Sequence, residues 1–178
     1  MKDILLVFFG CLLISSSCRK QQEDKLPPAT QTGANTFGCL VNGNAWVPTG
    51  RGVGSGIYPT AGGFYANVDN SLNIFIKAYS ENEIFQVFLK HAIAIGDYPL
   101  NKNTAIMPGA IFPESYGSYS INGQEDFITD SLHTGIVQIT YADTVKGIVS
   151  GTFEMQLYQK NTGKVINITK GRFDYKNH

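Results

Sequence analysis

Between Thr134 and Tyr175 the sequence alternates apolar and polar residues in three consecutive runs, TGIVQITY, IVSGTFEMQLY and VINITKGRFDY. The links between them, ADTVKG and QKNTGK, are short. Successive side chains of a strand point to opposite faces, so runs of this kind read as an antiparallel meander with one buried face. In the first run Val137, Ile139 and Tyr141 share a face. In the second, Val149, Gly151, Phe153, Met155 and Leu157 face inward, while Ser150, Thr152, Glu154 and Gln156 face water. The third run changes parity: Ile166 and Ile168 need one register, Phe173 and Tyr175 the other. One extra residue restores a common face, and the sequence places that bulge at Lys170-Gly171, with Gly171 as the residue suited to a left-handed backbone.

The N-terminus reads as a signal peptide over residues 1–17. Lys2 precedes the apolar run Ile4–Ile14, which is shorter than the about 20 residues of a membrane span. Ser15, Ser16 and Ser17 then precede Cys18, so Cys18 is expected to be the lipidated residue left after cleavage. Of the three cysteines, Cys11 leaves with the signal and Cys18 takes the lipid, so Cys39 has no disulfide partner and reads as a small buried hydrophobe. Residues 18–36 form the anchor and a flexible tether. The stretch Arg19–Thr36 is polar and aperiodic, interrupted by Pro27-Pro28, and would reach roughly 60 Å when extended.

Residues 37–178 form the domain. It opens on FGCLV-NG-NAWVP, where Asn42-Gly43 is the signature of a type I′ hairpin turn. A two-residue turn pairs Val41 with Asn44, Cys39 with Trp46 and Phe37 with Pro48. Phe37, Cys39, Val41 and the lone tryptophan Trp46 then share a core-facing side. The Gly-rich Thr49–Gly63 does not fit a phosphate-binding glycine motif and reads as a mobile surface loop. Three strands follow at 63–68, 71–80 and 83–92, turning at Asp69-Asn70 and Glu81-Asn82, before Gly96–Leu100 turns away. Short strands are expected at Ala110–Phe112, Ser118–Ile121 and Phe127–Thr129. The fold class is therefore all-β: a single antiparallel sandwich or flattened barrel of about nine strands.

Equal numbers of basic and acidic residues, 14 each, and the absence of a basic run argue against nucleic acid. His91, His133 and His178 are isolated in sequence, and no metal-ligand or nucleophile motif appears, so no cofactor or metal is expected. Glu125, Asp126 and Asp130 lack the spacing of a calcium loop. Glu114, Glu125, Asp126 and Asp174 are the acids a glycoside hydrolase would have to draw on. Nine tyrosines are many for this length. Tyr58, Tyr65, Tyr116 and Tyr119 lie in or near the Gly-rich and 110–121 stretches and define a candidate binding surface for a glycan or a protein.

FGCLVNGNAWVP after a lipobox, Gly96-x-Tyr98-x-Leu100, then GIVQIT, SGTFEMQL and ITKGRFD together resemble a group of Bacteroidota lipoproteins known only as domains of unknown function. The resemblance runs from Phe37 to Tyr175. It implies an exported, lipid-anchored β-domain of the outer envelope and carries no catalytic residues. Glu23-Asp24 is similar to the acidic stretch that routes such lipoproteins to the cell surface, whereas Arg19-Lys20 departs from it, which leaves the leaflet open. The expectation is a non-enzymatic binding or structural lipoprotein held to the outer membrane through Cys18. The alternatives are a carrier for a small apolar ligand held between the sheets, and a glycan hydrolase.

Overall fold

The computed structural model describes residues 21–53, 56–58, 60–66, 72–102, 114–123 and 126–177, with the backbone alone at 51–53, 56–58, 61, 65 and 66. The expected signal peptide, Cys18, the turn expected at Asp69-Asn70, the strand expected at Ala110–Phe112 and Glu125 lie outside the described residues. Of the described residues 61% are strand and 2% helix. Its strands are β1 (Thr36–Val41), β2 (Asn44–Trp46), β3 (Arg51–Val53), β4 (Gly56–Tyr58), β5 (Thr60–Ala66), β6 (Leu72–Ser80) and β7 (Glu83–Leu89). Then follow β8 (Gly96–Leu100), β9 (Tyr116–Ile121), β10 (Phe127–Ile128), β11 (Gly135–Asp143), β12 (Ile148–Gln159) and β13 (Lys164–Lys176).

The main antiparallel sheet runs β2-β1-β13-β12-β10-β9-β7-β6-β5 and curls into a half-barrel. β12 is where it divides. One edge of β12 pairs with β13 along nearly its whole length; the other edge takes β11 from Ile148 to Met155 and β10 at Tyr158. β11 in turn carries β8.

The C-terminal meander follows the alternation of its sequence, with a bulge where the parity demanded one. Phe153 pairs with Gly171 and Met155 with Ile168, so three steps on β13 oppose two on β12; β1 shows the same offset between Gly38 and Leu40. Ile168 and Phe173 consequently enter one core, 1% and 3% exposed. The left-handed residue is Lys170, φ 54°, rather than Gly171. Gly171 is required for a different reason. The Phe153 ring lies flat on it, and a Cβ there would collide with ring atoms. A second bulge was not expected: Ile139 pairs with Gly151 but Tyr141 with Ser150. It turns Tyr141 off the face of Val137 and Ile139 and puts Ala142 against the core instead.

The N-terminal hairpin has the expected register, Val41 to Asn44 and Cys39 to Trp46, with Asn42 at φ 48° and Gly43 at φ 83°. These positive angles are those a type I′ turn requires. Phe37, Cys39 and Trp46 are buried, and Val41 packs against them. The aromatic centre is closed: Phe37, Phe85 and Phe153 stand 5.2–5.6 Å apart, with Trp46 and Tyr119 on Phe85 and Phe173 on Phe153.

Three expectations are corrected. The Gly-rich stretch is not a plain surface loop: β3 and β4 pair with each other, Arg51 opposite Tyr58, and Thr60–Gly63 opens β5 against β6. Alternating glycines supply no apolar period, so the backbone pairing leaves no mark in the sequence. Gly96–Leu100 does not turn away but forms β8, pairing Pro99 with Ile136 at the sheet edge, where a missing N–H is tolerated. Finally, residues 21–35 are not an unfolded tether. After a helical turn at Gln21–Glu23 they lie along β13 and β1, with Leu26 only 7% exposed.

Candidate functional site

The strap formed by residues 21–35 is held by one carboxylate. Asp174 and Ser150 are cross-strand neighbours on the outward faces of β13 and β12, where alternation alone predicts contact with water. Both are buried instead, Asp174 to 1% exposure, because the strap covers them. The Asp174 oxygens accept hydrogen bonds from the hydroxyls of Thr30 (2.6 Å), Thr32 (3.3 Å) and Ser150 (2.7 Å). They also accept from the backbone N–H of Thr32 (2.9 Å), Gly33 (2.8 Å) and Ala34 (3.1 Å). Burial by itself would push the Asp174 carboxyl up. The donors from Thr30, Ser150, Thr32 and Ala34 outweigh it and hold the group well below the usual carboxylate range.

The strap is tied at both ends as well. Asn35 Oδ1 accepts from the Lys176 N–H at 2.9 Å, and Gln22 Oε1 accepts from the Ala45 N–H at 3.2 Å. Glu23 lies between Lys170 and Arg172 at 3.8 and 3.6 Å, beside the bulge. Polar residues without periodicity thus dock through donors aimed at one acceptor. The signal for it in the sequence is only the density of small donors in TQTGAN opposite an acid in a strand.

Two further polar groups serve the core. Trp46 Nε1 donates to Glu83 at 2.5 Å, and the Tyr119 phenol also bonds Glu83; burial chiefly, and then Glu83, push that phenol up. Burial pushes the Cys39 thiol up strongly, as suits an unreactive core cysteine. At the β10–β11 junction His133 Nδ1 lies 3.0 Å from Asp130 and its ring stacks on Tyr158 at 4.7 Å. Asp130 also accepts from the backbone N–H of Leu132 and His133, so this pair closes a turn.

Of the tyrosines expected to form a binding surface, Tyr116 and Tyr119 are buried and face opposite sides of β9. Tyr119 enters the main core, and Tyr116 stacks on Phe88 at 5.7 Å on the other side. The residues differ by an odd number, so one strand cannot present both. The side chains of Tyr58 and Tyr65 lie outside the described residues. The acids nominated for hydrolysis are held separately: Asp174 on β13 beneath the strap, Glu114 on Lys90 at 2.6 Å, and Asp126 near Lys77. Among the described residues no three His, Cys, Asp or Glu side chains converge as metal ligands, and no helix is long and apolar enough to cross a membrane.

Three concavities among the described residues bear on function. A shallow recess of about 390 Å³ on the outward face of β8, β11, β12 and β13 is lined by Asp97, Ile136, Gln138, Thr152, Glu154 and Arg172, among others. Toward the Asn42-Gly43 hairpin a recess of about 650 Å³ shares Glu154 and Lys170 with it and adds Glu23 and Asn167. Together they form a trough in which hydrogen-bonding side chains stand among apolar surface. A third recess, of about 530 Å³, is lined mainly by the aromatic residues Phe64, Phe75, Phe88 and Tyr116 with Gly62, Gly63 and Asn177.

This all-β half-barrel belongs to a family described as a domain of unknown function, DUF6252, whose pattern matches residues 56–175. The match begins after the N-terminal hairpin and ends on Tyr175, so it takes in Asp174 and the bulge but not the strap. Neither the curated proteins nor the solved structures contain a match to the chain.

Proposed function

We propose that this protein is a non-enzymatic binding module of the bacterial outer envelope, anchored in the outer membrane by lipid at Cys18, as the Bacteroidota lipoproteins it resembles are. The observation that carries the binding reading is the contrast between an aromatic-filled centre and an open outward face where hydrogen-bonding side chains stand among apolar surface. Phe37, Phe85 and Phe153 pack on one another at the centre of the core, whereas the trough offers Asp97, Gln138, Thr152, Glu154 and Arg172. Alternating donors and acceptors on an open surface suit a hydroxyl-rich chain such as a glycan, which exchanges hydrogen bonds with water for hydrogen bonds with protein at modest net gain. The module holds its partner and performs no chemistry on it.

Two measurements test this. Cys18→Ala should move the protein from the membrane pellet to the soluble fraction; unchanged partitioning removes the anchor. Titration of the soluble domain with a panel of bacterial-envelope oligosaccharides, followed by amide chemical shifts, should perturb β11, β12 and β13 around Gln138, Thr152 and Arg172. Shifts confined to other surfaces, or none, remove the trough.

A second reading has its own observation. The recess at Phe64, Phe75, Phe88 and Tyr116 is aromatic on most of its lining and lies outside the main core, so a small apolar ligand would be carried there rather than between the layers. Enhanced emission of an apolar dye on binding, lost in Phe75→Ser, would favour this reading over the trough.

A further inference from the structure

We infer that the recess at Phe64, Phe75, Phe88 and Tyr116 takes an apolar acid, an acyl or aryl carboxylate, with its charged group on Lys77. This deepens the second reading above and rests on it, since the recess must first hold a ligand. On β6 and β7 the residues that enter the main core are Ile74, Ile76, Phe85 and Val87, each at most 1% exposed. Side chains alternate along a strand, so Phe75, Lys77 and Phe88 point to the other face. There Gly63 stands opposite Phe75, Phe75 opposite Phe88 and Phe88 opposite Tyr116, so three rings form one row across β6, β7 and β9. Phe88 and Tyr116 are buried and stacked on each other, whereas Phe75 is half-buried. The row ends on β5 at Gly63, which has no side chain to cover Phe75.

A lysine stands on either side of this row. Lys77 pairs with Gln86, two positions before Phe88, and Lys90 comes two positions after it. Lys90 is answered by Glu114 at 2.6 Å. Lys77 is answered differently: its Nζ stands 5.1 Å from the centre of the Phe75 ring, and no described carboxylate forms an ion pair with it. Burial pulls the Lys77 ammonium down, and the charge of Asp126, acting from further off, opposes that. A ring face attracts a cation but does not replace the acceptors that its three N–H groups lose with water. A carboxylate supplies them while its apolar body lies against Phe75 and Phe64. An ammonium ligand would meet the like charge of Lys77, and an alcohol offers only a neutral acceptor, so charge selects the acid.

The test uses residues 18–178 without lipid, which leave out none of the described residues. Dodecanoate, dodecanol and dodecylamine, each below its micelle concentration, are titrated by calorimetry. They share one apolar tail and differ only in the charge of the head. Dodecanoate should bind at least about tenfold more tightly than dodecanol, and dodecylamine most weakly. Lys77→Met keeps the apolar stem of the side chain. It should bring dodecanoate down to the level of dodecanol and leave dodecanol unchanged, which also shows that the variant is folded. Phe75→Ser should weaken both. Equal binding of dodecanoate and dodecanol by the native protein, or a preference for dodecanoate that survives Lys77→Met, overturns the role of Lys77 and leaves the apolar-ligand reading in place. Binding of none of the three overturns that reading and the inference with it.

Discussion

β13 is contacted on its two faces by regions that reach it in opposite ways. Its inward face belongs to the meander, where Ile166, Ile168, Phe173 and Tyr175 meet the apolar positions of β12 through a repeating period of two. Its outward face, near the C-terminal end, is covered by residues 30–34, which have no period and almost no apolar content, through hydrogen bonds converging on Asp174. Apolar burial is spread over many residues and tolerates small errors at each. A carboxylate cluster concentrates the same attachment at one atom pair, where every donor depends on the charge. The first kind of contact is written as a pattern, the second as a coincidence of one acid with donors more than a hundred positions away.

Removing the acid should have the largest effect. Asp174→Ala strands three backbone N–H groups and three hydroxyls in a covered site, and a loss of at least about 3 kcal/mol is expected in urea unfolding, together with proteolysis of the strap. A folded variant with an uncleaved strap would show that the donors find other partners. The pH dependence follows the sign of the shift. The Asp174 carboxyl is depressed on folding, so its contribution is complete above the ordinary carboxylate pKa of about 4 and is lost as pH falls below that toward the depressed folded value. Native protein should therefore lose more stability than Asp174→Asn between about pH 4 and pH 2. Parallel curves would remove Asp174 as the titrating group.

On the apolar face the corresponding change is Gly171→Ala, which drives a methyl group into the Phe153 ring. Phe153 is packed on Phe37, Phe85 and Phe173, so the ring cannot step aside, and about 1–3 kcal/mol should be lost. Phe153→Leu in the same chain should recover part of it; equal additive losses would mean that the two sites do not touch.

The turn residues give smaller effects. A Cβ at Gly43 meets no atom within 4 Å, so Gly43→Val tests backbone conformation alone and should cost about 1 kcal/mol or slightly more at φ 83°. An unchanged unfolding midpoint would reject the type I′ assignment. Smallest, and of opposite sign, is Lys170→Gly. Relief of the left-handed lysine, set against the extra freedom of glycine when unfolded, should stabilise by about 0.5 kcal/mol. Destabilisation would mean that the Lys170–Glu23 contact, long at 3.8 Å, outweighs the backbone term.

From the sequence alone one can read every element whose signal is local. The hairpin at Asn42-Gly43 follows from turn chemistry, β5 to β7 and β11 to β13 from alternation, and the bulge from a parity conflict between Ile168 and Phe173. Each depends on residues within a few positions of one another, where side-chain direction is dictated by the backbone. The tertiary structure decided the rest. It assigned the left-handed conformation to Lys170, because Gly171 was taken up by the Phe153 ring. It placed Pro99 in an edge strand and stacked Tyr116 on Phe88. It also drew residues 21–35 out of solvent and onto Asp174. In each of these cases the outcome was set by a neighbour distant in sequence. Contacts of that kind are chosen by closure of the sheet and satisfaction of buried polar groups, which only the assembled chain can bring together.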